Sequence, residues 1–217
     1  MSRASSHSAT PVVRVSTREL FGLLAIALLA LVVSGVNPHD RLTWFLEVFP
    51  VLIGISALAV SYRRFPLTTL LYRLLLIHAL ILIVGGHYTY ARVPAGFWFQ
   101  DLFDLGRNHY DRLGHFMQGF VPAILVREVL LRTSPLAAGK WLFFLVVCVC
   151  LAFSAFYEMI EWWAAVLGGD SAMEFLGTQG DVWDTQWDMC LALVGAITAL
   201  LLLRRRHDFE LRRIILS

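Results

Sequence analysis

The chain has 217 residues, of which 58% are hydrophobic, 13% aromatic and only 16% charged, and its net charge is +2. The many aromatic residues exclude a disordered protein, and the small, scattered positive charge argues against a nucleic-acid partner. Three cysteines inside apolar runs (Cys148, Cys150 and Cys190) do not form the framework of a secreted disulfide scaffold. An integral membrane protein remains, and its mean hydropathy of +0.68 agrees with that class.

Six segments are apolar enough and long enough to cross a bilayer as helices, which takes roughly 17–25 residues. They cover residues 20–36, 44–60, 67–85, 111–131, 141–167 and 185–203. The first run is longer than the apolar region of a signal peptide, and five more follow it, so we interpret it as a retained helix. The sequence predicts an all-α, six-helix transmembrane bundle over residues 19–204, a flexible tail over residues 1–18 and a basic tail over residues 205–217.

Arginine and lysine in the short connections predict the orientation of the bundle. Twelve of these residues fall on the side of the two termini and three on the opposite side. Both termini are therefore expected in the cytoplasm, which agrees with an even number of spans.

The connection over residues 86–108 is long and rich in aromatic side chains. Phe97, Trp98 and Leu102 recur at helical spacing, and Asp101 and Asp104 fall on another face. This pattern predicts a short amphipathic helix lying in the membrane interface. A loop that only contributes to the aromatic belt is the alternative.

Ionisable side chains recur near the same end of three predicted helices. Each helix carries two such residues three or four positions apart, which places them on one face. The pairs are Asp111 and His115, Glu158 and Glu161, and Asp184 and Asp188. Counting along the helices places all three pairs in the outer, periplasmic third of the bundle. The rim of the cluster is predicted to contain His87, His109 and Asp181.

Charges inside membrane helices cost about 2.5–3.5 kcal/mol on insertion scales and mark functional sites by default. Four carboxylates on two helices cannot all stay ionised at close range without protons, Arg107, Arg112 or a metal ion. Paired carboxylates beside a histidine suit acid/base catalysis, and imidazole with carboxylate suits Zn²⁺ or Mn²⁺. We predict all six paired residues as catalytic, and a divalent metal ion on His115, Glu158, Asp184 and Asp188. The alternative is ordinary solvation near the headgroups.

Other polar residues have simpler interpretations from the sequence. Snorkelling to water is expected for Glu47, Arg73, Arg127 and Glu128. His78 is expected to be a hydrogen-bonded core histidine. Solvated positions are predicted for Asp101, Asp104, Asp170 and Glu174. No functional signal attaches to His7, His39 and His207.

Most of the chain from about residue 35 onward resembles the YjdF family of uncharacterised bacterial inner-membrane proteins. The segments that carry the resemblance are 37–41 (NPHDR), 85–90 (GGHYTY), 108–112 (NHYDR) and 177–184 (GTQGDVWD). The resemblance implies an inner-membrane location and no particular reaction.

A shorter motif is similar to that of VanZ-like membrane proteins, a family associated with glycopeptide resistance. That motif has an acid, a base and His-Phe on one helix, then Glu-x-x-Gln, then Asp-x-x-x-Asn with glycines. The matching residues are Asp111, Arg112, His115, Phe116, Glu158, Asp184 and Gly195. Glu161, Asp188 and Leu191 depart from the motif, so a relationship would imply a more anionic site here.

Three hypotheses about function follow. The first is a membrane-embedded enzyme that acts on a lipid headgroup, a lipid-linked glycan or another cell-envelope substrate. The second is a non-catalytic membrane partner or assembly protein. The third is a proton- or cation-coupled transporter, for which the sequence lacks internal repeats and paired broken helices.

Overall fold

A computed structural model describes residues 15–168 and 178–215, and the described chain is helical apart from short connections. Its seven α-helices are α1 (Thr17–Ser34), α2 (Arg41–Ser61), α3 (Thr69–Tyr88), α4 (Pro94–Phe103), α5 (Tyr110–Thr133), α6 (Lys140–Gly168) and α7 (Asp184–Ile215). A 3₁₀ turn, Tyr90–Arg92, precedes α4. The first fourteen residues of the predicted tail, together with Asp170 and Glu174, lie outside the described residues.

Local sequence explains where the first two helices begin. Ser16 caps α1, because its hydroxyl oxygen accepts a hydrogen bond from the backbone N–H of Glu19 at 3.1 Å. Asp40 caps α2 in the same way by accepting from the backbone N–H of Thr43 at 2.7 Å. That hydrogen bond to the charged form lowers the pKa of Asp40 below its ordinary value.

Five of the described helices are long and apolar enough to cross a membrane: α1, α2, α3, α6 and α7. The remaining predicted span, α5, is 24 residues long and therefore about 36 Å, but it is much more polar. Its polar side chains are largely buried against other helices, which is how a polar helix is accommodated inside a bundle. The all-helical architecture is confirmed, whereas six membrane crossings and the orientation stay predictions.

Helices α5 and α7 make the most extensive contact of any two helices in the described part of the chain. Gly119 of α5 lies against the carbonyl oxygen of Ala192, and Gly195 of α7 lies against that of Phe116. Small residues allow two membrane helices to approach this closely, because no side chain separates the backbones. Helices α3 and α6 pack against α5, and α1 and α2 pack against α3.

The connection between α3 and α5 is ordered by Asn108. Its side-chain amide donates to the backbone carbonyl of Val93 at 3.0 Å, and its side-chain oxygen accepts from the backbone N–H of Tyr110 at 3.0 Å. The helix predicted in this connection is present as α4, and Trp98 and Leu102 on it are about three-quarters exposed. Its position in the membrane interface stays a prediction.

A buried polar network at the far end of α5 contradicts two expectations. Glu128 is fully buried and accepts hydrogen bonds from Thr68, Arg132 and His207, so it does not snorkel. Arg127 is also buried and donates to His207 at 2.8 Å. His207 carries no functional signal in the sequence and falls in the predicted basic tail. In the structure α7 continues as one helix to residue 215, and the His207 side chain is fully buried. The change from apolar to basic residues near residue 204 therefore does not mark the end of the helix, because basic residues continue the same helical backbone.

The orientation of the bundle leads to a prediction about reporter fusions. A cytoplasmic reporter is expected to be active when fused after Arg213 or within residues 61–66, because both positions lie on the basic side. A periplasmic reporter is expected to be active when fused within residues 92–106 or 170–180. A cytoplasmic signal from the 170–180 fusion would contradict both the number of spans and the side of the cluster.

Candidate functional site

His115 lies at the centre of a buried cluster formed by α5, α6 and α7. Its Nε2 atom is 3.3 Å from Asp111 and 3.8 Å from Asp188, and its Nδ1 atom is 3.7 Å from Glu158. All four side chains are buried, and a fourth acid, Glu161, is buried beside them. The three pairs that the sequence placed at one depth therefore also face one another.

Two arginines neutralise the acids at the end of the cluster where α5 and α7 begin. Arg112 contacts Asp188 at 2.7 Å, Asp181 at 2.9 Å and Asp184 at 3.0 Å. Arg107 contacts Asp184 at 2.8 Å and Asp181 at 3.5 Å. Both arginines contact the same Oδ1 atom of Asp184, and the more exposed Asp181 lies at the edge of the cluster.

The other two rim candidates do not join the cluster. His87 hydrogen-bonds through Nδ1 to the backbone carbonyl of Ser34 at 2.8 Å, so it connects α3 to the end of α1. His109 hydrogen-bonds to the backbone carbonyl of Arg107 at 2.7 Å, in the turn before α5. Both therefore stabilise connections by bonding to the backbone.

Glu47 of α2 belongs to the cluster, and the prediction that it snorkels is wrong. Its side chain is buried, it accepts a hydrogen bond from the Tyr157 hydroxyl at 3.4 Å, and it lies close enough to Asp111 and His115 to interact electrostatically. The sequence contained a signal for this position. Thr43, Glu47, Val48 and Val51 are spaced as one helix face, and all four are buried.

Tyr90 closes the cluster on the side of α3. Gly85 and Gly114 both lie against its ring, so the ring is held between α3 and α5 where a larger residue would not fit. Burial raises the pKa of the Tyr90 phenol well above its ordinary value, and the nearby Glu47 carboxylate adds to the rise. The phenol therefore stays neutral and adds no negative charge to the site.

Among the described residues, two groups of three side chains have donor atoms close enough to bind one metal ion. In the first group, donor atoms of His115, Glu158 and Glu161 all lie within 4.8 Å of one another, and in the second the same holds for Asp111, His115 and Asp188. The Oε1 atom of Glu158 is buried and has no hydrogen-bond partner among the described residues. A buried carboxylate oxygen without a partner is costly unless a proton or a metal ion satisfies it.

The charges around His115 do not balance within the described part of the chain. Seven carboxylates surround it (Glu47, Asp111, Glu158, Glu161, Asp181, Asp184 and Asp188), whereas only Arg107, Arg112 and His115 can carry positive charge. Both arginines contact the aspartates of α7 and of the turn before it. The excess negative charge therefore lies on the side of α6, around Glu158 and Glu161.

Comparison with known proteins agrees with this architecture. Residues 20–209 match a family described as predicted membrane protein DUF2238. The chain belongs to this family. It is also similar to the inner membrane protein YjdF of Escherichia coli (strain K12), with 55% identity over 185 residues that cover 85% of this chain and 88% of the relative. No solved structure gives a significant match.

The family fixes the class and the location of the protein. It is an integral protein of the bacterial inner membrane, and the lipid bilayer is its surroundings. The resemblance to the YjdF family that the sequence motifs indicated is confirmed.

Proposed function

We propose that the protein is a membrane-embedded enzyme whose site uses a divalent metal ion together with the surrounding acids. The observation that carries the proposal is the unpartnered Glu158 oxygen beside His115, on the side of the cluster with excess negative charge. The reaction would be hydrolysis or group transfer, because a metal-bound water and carboxylate bases suit that chemistry. The substrate would be lipid-linked or part of the cell envelope, because the site would lie at the periplasmic end of the bundle.

The geometry favours one of the two donor groups as the metal site. A neutral imidazole offers one nitrogen to a metal and donates its other N–H to a carboxylate, which orients the ring. With Nδ1 on the metal beside Glu158 and Glu161, Nε2–H would face Asp111 at 3.3 Å as the orienting acid. The metal ion would then replace the present contact of Nδ1 with the side-chain oxygen of Gln118 at 3.2 Å. Glu161 therefore takes the place of both Asp184 and Asp188 in the ligand set predicted from sequence. Both arginines contact Asp184, whereas Asp188 contacts Arg112 at 2.7 Å and lies on the Nε2 side of His115.

A transport function is supported less well. Glu128 lies thirteen positions after His115 on α5, which corresponds to about 20 Å along the helix. Between them, Val121, Ala123 and Ile124 are fully buried and apolar. A proton or cation would need polar groups through this layer, which favours a site that opens at one end only.

Metal binding is expected to stabilise the purified protein. At a Zn²⁺ or Mn²⁺ concentration 100 times the dissociation constant, the gain is about 2.7 kcal/mol, because the unfolded chain lacks the site. The thermal midpoint in detergent should rise with metal and fall with a chelator. Glu158→Gln and His115→Ala should each abolish this response.

Asp184→Asn is the matched control for the metal measurement. It changes an acid of the same cluster, but one whose carboxylate oxygen contacts Arg107 and Arg112. This variant should lose some stability and keep the metal response. Equal metal responses in wild-type protein and Glu158→Gln would contradict the proposed site.

Enzymatic activity needs a separate measurement. Mass spectrometry of a membrane lipid extract, incubated with wild-type protein or with Glu158→Gln, would test for a metal-dependent product.

A further inference from the structure

A cavity of about 390 Å³ lies between α1 and α2, over the surface of α3. Helices α1 and α2 each pack on α3, and they approach each other at the end where Trp44 donates a hydrogen bond to the Ser34 hydroxyl at 3.0 Å. Below this contact the two helices leave a gap. The volume falls within the range of ligand pockets, roughly 300–1,000 Å³.

Small residues on α2 keep the gap open. Gly54 lines the cavity, and a Cβ atom added there would meet no atom within 4 Å. Ala59 of the same helix also lines it, as does Ala27 of α1. A larger side chain at Gly54 would therefore enter the cavity without displacing its neighbours.

The lining of the cavity selects an apolar occupant. Most of its residues are leucine, alanine, valine and isoleucine, and the Nε2 atom of its His78 is too deeply buried to reach a ligand. The other polar residues of the lining are Thr17, Tyr62 and Tyr72, all at one end of their helices. Elsewhere the lining does not offer the two to four polar partners that a water molecule needs. Protein interiors are close-packed, so a cavity of this size left empty would forfeit many dispersion contacts.

The cavity is also continuous with the surface that faces the bilayer. Phe21 and Leu24 of α1 line it and are at the same time exposed on the outside of the helix. We propose that this cavity binds one acyl chain of a membrane phospholipid. The inner end of the chain would lie about one helical turn from Glu47, beside Val51 and Leu82.

Photolabelling can test this binding site. The probe is phosphatidylethanolamine with a diazirine at the end of one acyl chain, added to the full chain in detergent micelles that contain no other phospholipid. Peptides of α1, α2 and α3 should be labelled, and excess unlabelled phosphatidylethanolamine should compete, because a defined site saturates. Labelling that unlabelled lipid does not reduce would reflect only the surrounding micelle and would overturn the proposal.

Two glycine variants distinguish labelling inside the cavity from labelling of the rest of the lipid-facing surface. Gly54→Leu fills part of the cavity and should lower the saturable labelling about tenfold, because the leucine side chain occupies volume that the acyl chain needs. Gly22→Leu places the same side chain in open space on the exposed face of α1, outside the cavity, and should label like wild-type protein. Equal saturable labelling of both variants would overturn the proposal.

Glu158→Gln should be labelled like wild-type protein, because the cavity is formed by other residues than the metal site. The labelling therefore tests the lipid site independently of the metal site.

Discussion

Replacing Gly119 by alanine is expected to destabilise the folded protein by about 3 kcal/mol, at the upper end of the range for overpacked cores. The added methyl group would overlap the Ala192 carbonyl oxygen, and a backbone atom cannot move aside as a flexible side chain can. Helices α5 and α7 must then separate. Denaturation of the purified protein in detergent, followed by intrinsic fluorescence, would measure the loss.

The same substitution should also disturb the candidate site. Gly119 lies one helical turn from His115, and Ala192 lies one turn from Asp188, so separation of the backbones moves these two side chains apart from their present 3.8 Å. Gly119→Ala is therefore expected to weaken the metal response as well as the fold.

Gly54→Ala is the control for this prediction. Its new methyl group meets no atom, and alanine is a better helix former than glycine by about 0.8–1 kcal/mol. We expect the control to be neutral or slightly stabilising. A neutral Gly119→Ala would show that α5 and α7 are not held together by close backbone contact.

The sequence predicts the helices and the common level of the three pairs along them, because both follow from one-dimensional rules. Runs of apolar residues bounded by proline and glycine indicated each helix. Counting 1.5 Å per residue then placed the pairs on α5, α6 and α7 at one level. Helical spacing does not specify how neighbouring helices are rotated, so only the structure could show that the three faces meet at His115.

Glu47 and Glu128 show where reasoning from depth alone fails. Each lies near the end of a helix, where snorkelling is a reasonable explanation for a single charge. Whether such a side chain reaches water depends on what packs over it, and here Tyr157 covers Glu47 whereas α7 covers Glu128. The contact of Glu128 with His207 cannot be predicted from the sequence, because His207 follows a basic segment that is typical of a tail.

Glu128→Ala is expected to cost about 3–5 kcal/mol of folding free energy, the range for removing one partner of a buried ion pair. Arg127 can only donate a hydrogen bond, so the Nδ1 atom of His207 must accept from it, and Nε2–H then donates to Glu128 at 3.0 Å. Without the carboxylate, that N–H and the hydroxyl of Thr68 lose their acceptor in a buried position. Thermal or chemical denaturation in detergent would measure the change.

Glu19→Ala provides the matched control, since it removes a glutamate that pairs with Arg73 at 2.7 Å on the exposed surface. Exposed pairs contribute about 0–1 kcal/mol, so this variant should stay close to wild-type stability. Glu128 is about 26 Å along α5 from Asp111, so Glu128→Ala should keep its metal response at temperatures where the protein remains folded. Equal, small losses for both variants would mean that the buried network contributes no more than a surface pair. A lost metal response in folded Glu128→Ala would instead couple the two ends of α5.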